Sequence, residues 1–98
     1  MAVPDDRQAA RDRIDQLIAL LKQHPTAETA ALVEECEALA RAIAAFHMEG
    51  IRFRMFNVSR LLTRTEVALP EASTAILEEA RHHLEAAGFH TRSHQAPS

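Results

Sequence analysis

The stretch "GIRFRMFNVSRLL", residues 50–62, carries two competing periods. Ile51, Phe53 and Met55 alternate with Arg52 and Arg54, as in a half-buried strand, whereas Ile51, Met55, Val58 and Leu62 keep the spacing of one helical face. Advancing about 100° per residue, Leu32, Val33, Cys36, Leu39, Ala40, Ile43, His47, Ile51, Met55, Val58, Leu61 and Leu62 fall on one stripe. Alternation explains a few residues and the helical stripe explains both sides of Gly50, so helix is the preferred reading from about 27 to 63. A bend is expected at Gly50, where glycine in a helix interior costs about 1 kcal/mol relative to alanine.

Outward from this stretch the breaks are few: two glycines, at 50 and 88, and four prolines, at 4, 25, 70 and 97. They delimit three helical segments. The first follows Pro4, with Asp5 and Asp6 placed to cap it, a face of Ala10, Ile14, Leu17, Ile18 and Leu21, and an end near Gln23 imposed by Pro25. Thr26 is the N-cap expected for the second, with Glu28 in its first turn. The third starts at Pro70 and Glu71, buries Ala72, Ile76, Ala80, His83, Leu84 and Ala87, and ends at Gly88 in the left-handed conformation, with Phe89 folding back towards Leu84. Residues 1–89 then form one helical domain and 90–98 a frayed tail.

The expected fold is all-α, a three-segment helical hairpin or bundle with a long central helix. That helix would measure roughly 55 Å at about 1.5 Å per residue, more than a chain of this size covers alone. Homodimerisation is the simplest way to complete the bundle.

Composition narrows the function classes. The 98 residues are 47% hydrophobic and 26% charged, as in a globular chain, with a formal net charge of −3. This balance does not draw the chain to nucleic acid, and no helix-turn-helix, zinc-finger or RNP-like pattern supports such a partner. A single cysteine, Cys36, excludes an internal disulfide and fits a reducing compartment. No secretory signal and no apolar run near the ~20 residues of a spanning helix is visible, so a cytoplasmic chain without membrane attachment is expected.

Catalytic motifs are absent: there is no Gly-rich phosphate loop, nucleophile elbow or H-E-x-x-H. The sequence implies no cofactor. Six histidines raise a metal reading, but Glu79 and His82 form the one E-x-x-H, and a di-iron bundle needs a second pair with further glutamates. His90 and His94 would chelate only from a helical tail.

The candidate site lies on the other face of the central helix. Phe46, Phe53 and Phe56 project roughly opposite Ile51, Met55 and Val58, with Arg52, Arg60 and Arg64 beside them. Aromatics and arginine are enriched at binding hot spots, which points to a protein-docking surface. The plainer reading is a helix packed on both faces in its own bundle. His47 and Arg54 fall within the apolar stripe and are candidates for a pH-sensitive or ligand site. A buried Arg54 requires a carboxylate, because an unpaired buried charge costs several kcal/mol. The expected function is thus a non-enzymatic interaction or regulatory protein, with a ligand- or metal-binding bundle using the histidines as the alternative.

Overall fold

The computed structural model describes residues 5–64 and 69–89. Among these the chain forms four helices and no strand: α1 (Asp6–Lys22), α2 (Ala27–Ala44), α3 (Met48–Arg64) and α4 (Ala72–Ala86). The tail from 90 onwards lies outside the described residues.

Local chemistry sets most of the ends. Asp5 caps α1 by accepting the Gln8 amide at 3.0 Å. Thr26 caps α2 in a reciprocal box: its hydroxyl accepts the Thr29 amide at 3.0 Å, and the Thr29 hydroxyl accepts the Thr26 amide at 2.8 Å. This pairing satisfies two orphan amides and explains why Thr29 is buried. Gly88 closes α4 with φ of 97°, and the Phe89 amide donates to the Leu84 carbonyl at 2.9 Å, as expected of a glycine-terminated helix.

The long central helix is instead two helices. The chain breaks at Phe46, which takes φ of 58°, and not at Gly50, which sits inside the first turn of α3. The His47 amide donates to the Ala42 carbonyl at 3.0 Å and the Phe46 amide to the Ile43 carbonyl at 3.2 Å, the paired bonds of a Schellman ending. Glycine normally occupies the left-handed position of that motif. A phenylalanine there hides the ending from sequence and costs about 1–2 kcal/mol. Burial outweighs this cost: Ile51, Met55 and Val58 of α3 are fully buried, and each contributes about 1.5–3 kcal/mol.

Cross-helix pairs give the directions. Arg13 reaches Glu79 at 3.5 Å and His83 reaches Asp6 at 2.9 Å, so α4 runs antiparallel to α1. Arg54 and Asn57 both reach Glu35, while Gly50 packs near Ala42, so α3 runs back along α2. The spatial order is α4, α1, α2, α3, and α3 and α4 barely touch. Among the described residues each outer helix therefore has one main neighbour, and α3 packs mainly on α2.

The core holds Ala10, Ile14, Leu17 and Leu21 from α1 and Leu32, Cys36, Leu39, Ala40 and Ile43 from α2, as the stripes predict. On α4 the buried face is rotated from the expected one. Ser73, Leu77 and Arg81 are buried, whereas Ala72 and Ala87 are exposed and His83 is half-buried. The 55 Å helix that motivated a dimer is absent, so helix length no longer requires a second chain.

Candidate functional site

α3 is amphipathic on its own terms. With Ile51, Met55 and Val58 directed to the core, helical geometry turns Glu49, Phe53, Phe56, Arg60 and Arg64 to the other side. Phe53 is 53% exposed, an unusual state for a large aromatic with a packed helix behind it. Phe56 is half-buried, and Arg60 and Arg64 are exposed. Phe53, Phe56, Arg60 and Arg64 thus share one face, as the sequence implies.

The arginines are ordered along the rings. The Arg54 guanidinium carbon lies 5.2 Å from the Phe53 ring centre, and that of Arg60 lies 5.8 Å from the Phe56 ring centre. Both distances are within cation–π range, worth about 0.5–1 kcal/mol at exposed sites. Arg52, at the side of the face, approaches Glu49 at 3.9 Å.

Phe46 does not join this face. Its ring carries the Arg7 guanidinium at 4.0 Å, and Arg7 Nη1 also donates to the Ile43 carbonyl at 3.2 Å. Arg7 therefore neutralises an orphan carbonyl at the end of α2 while it covers the strained residue. Phe46, 63% exposed, lines an open depression of ≈ 460 Å³ with Asp5, Asp6, Arg7, Ala87 and Phe89. A second depression of ≈ 260 Å³, lined by Leu21, Pro25, Thr29 and Val33, lies at the turn between α1 and α2.

His47 and Arg54 have structural tasks. His47 is exposed, not within the stripe, because the left-handed turn at Phe46 breaks the helical phase just before it. Its Nδ1 accepts the Gly50 amide at 2.8 Å, so the imidazole is the N-cap of α3. A β-carbon on Gly50 would lie 2.5 Å from that nitrogen and 3.3 Å from the Ala42 β-carbon, which explains the glycine. Arg54 finds its carboxylate in Glu35 of α2, at 3.2 and 3.3 Å, with Asn57 at 3.3 Å from the same group. The salt bridge joins two helices of one chain.

Besides Ser73 of α4, two buried polar residues escape the sequence reading. Arg81 is 6% exposed, with Nε 3.3 Å from Glu78. The i, i+4, i+7 spacing of Leu77, Arg81 and Leu84 carried this signal. Thr29 is the other, and its hydroxyl also donates to the His24 carbonyl at 2.8 Å. Cys36 is fully buried, and burial, with Glu35 and Glu37 adding to it, pushes its thiol up from 9.0 to about 12. Such a thiol is not an activated nucleophile.

Among the described residues no three His, Cys, Asp or Glu side chains are grouped to hold a metal ion. Within the same residues no helix is long and apolar enough to cross a membrane. Compared with protein-family models, curated proteins and solved structures, the chain matches none.

Proposed function

We propose that this chain is a non-enzymatic helical interaction protein of regulatory type that docks a partner protein through the outward face of α3. The exposure of Phe53, in line with Phe56, Arg60 and Arg64 on a helix with one main neighbour, carries this reading. An exposed aromatic held beside an arginine is already ordered for contact, and it desolvates at low entropic cost when covered. The arginines call for a partner segment with apolar anchors and a carboxylate rim. Self-association belongs to the same proposal, since a second copy is one protein that can cover this face.

The histidine-based alternative has less support. His47 Nδ1 is engaged with Gly50 and His83 Nδ1 with Asp6, and among the described residues no three His, Cys, Asp or Glu side chains are grouped to share an ion.

The test is capture by a photo-crosslinking phenylalanine analogue at position 53, in the cells that make the protein, with the same analogue at exposed Gln16 as control. A protein crosslinked from 53 and not from 16, and lost with Phe56→Ala in a still-helical variant, supports the reading. Equal crosslinking from both positions contradicts it. A nucleic-acid ligand would reveal itself by binding that falls steeply with salt.

A further inference from the structure

Glu49, Phe53, Phe56 and Arg60 follow one another at intervals of four, three and four residues. At about 100° per residue they fall within about 60° of the helix surface, the spacing of an a/d seam in a two-stranded coiled coil. The Glu49 side chain is 78% exposed, Phe53 is 53% exposed, Arg60 is exposed and Phe56 is half-buried. The core lies on the opposite side of α3, and among the described residues α3 packs mainly on α2, which leaves Glu49, Phe53 and Arg60 exposed to a second helix.

The order of residues along the seam is self-complementary. Glu49 and Arg60 lie equally far, about 8 Å, on either side of the point midway between Arg54 and Met55, at about 1.5 Å per residue. Phe53 and Phe56 lie about 2 Å on either side of that same point. We propose that α3 pairs antiparallel with α3 of a second copy of this chain about a two-fold axis through that point. Glu49 then meets Arg60 of the second copy, and Phe53 meets its Phe56. Symmetry repeats each contact, giving two ion pairs around a four-ring centre. The parallel arrangement would set arginine against arginine and glutamate against glutamate, so charge selects the antiparallel one. Arg60 is already extended along the seam by its contact with the Phe56 ring at 5.8 Å.

This inference rests on the reading of α3 as a docking face and adds its control. Self-pairing covers Phe53, so a different partner must displace the second copy, and docking rises as the chain is diluted.

The test is sedimentation of the purified full chain across a concentration series, with helicity followed by circular dichroism. Wild type is expected to show a monomer–dimer equilibrium. Glu49→Arg alone and Arg60→Glu alone each weaken it on the order of tenfold or more, by placing like charges opposite one another. The two together restore it to within about threefold of wild type, because the pair is re-formed with its signs exchanged. A wild-type chain that stays monomeric overturns the proposal, as does a doubly substituted chain no tighter than the single variants. In the first case, crosslinking from position 53 to another protein would still leave the docking reading standing. A dimer that obeys the charge exchange, with no other protein crosslinked, supports self-pairing and removes the foreign partner.

Discussion

Glu35 on α2 holds Arg54 on α3, with Nη1 of the guanidinium 3.2 Å from one carboxylate oxygen and 3.3 Å from the other. The pair is half-buried, and Asn57 adds a third bond to the same carboxylate. Glu35→Gln is expected to lower stability by about 1–2 kcal/mol, between the exposed and the buried limits for ion pairs. Arg54→Met should cost less when Glu35 is already Gln. Chemical denaturation of the four proteins of this cycle measures the coupling, and strict additivity would show that the bridge contributes nothing.

The turn at Phe46 depends on backbone conformation more than on the ring. Phe46→Gly removes the left-handed strain and loses the Arg7 contact, so it should stay within about 0.5 kcal/mol of wild type. Phe46→Val keeps φ positive on a β-branched residue and should cost about 1–2 kcal/mol. Thermal unfolding of both variants checks the order. Equal losses would mean that the ring contact dominates.

Gly50 and His47 should be coupled. Alanine at 50 improves helix propensity by up to about 1 kcal/mol but displaces the imidazole that caps α3. Gly50→Ala is therefore expected to stabilise by about 0.5–1 kcal/mol only in a His47→Ala background. The same gain in both backgrounds would show that the imidazole does not need the space.

Cys36 predicts both a reactivity and a pH dependence. Its thiol holds its proton more tightly in the folded chain, with a value of about 12 against 9.0 for the free group. The associated stability is complete below about pH 9 and is lost as pH rises towards 12, because the unfolded chain releases the proton first. A thiol reagent at neutral pH should modify Cys36 at the rate of chain opening, and Cys36→Ala should flatten the alkaline limb of the stability profile. Rapid labelling of the folded chain would contradict the burial.

Helix starts were readable wherever a short polar side chain caps them, at Asp5 and Thr26, and the end at Gly88 wherever glycine supplies the positive φ. The break between α2 and α3 was not readable, for a physical reason. A phenylalanine takes the glycine position, a histidine takes the cap position, and the actual glycine serves neither role. Ile51, Met55 and Val58 fall at numbers that continue the α2 stripe although the turn at Phe46 breaks the helical phase, so periodicity alone could not reveal the fold-back. The face of Phe53, Phe56, Arg60 and Arg64 survived this error, since all four belong to α3. Phe46 and His47 did not, since they form the turn itself.

The fold-back at Phe46 is what makes α3 a separate helix with Phe53 and Arg60 exposed, and one distance tests it most directly. Spin labels on Glu28→Cys and Thr63→Cys, in a Cys36→Ala chain diluted with unlabelled protein, report on the start of α2 and the end of α3. Packed antiparallel helices lie roughly 8–10 Å apart, so the labels should be less than about 30 Å from each other once their arms are included. A continuous helix would separate them by about 50 Å, and a distance distribution centred there would contradict the account.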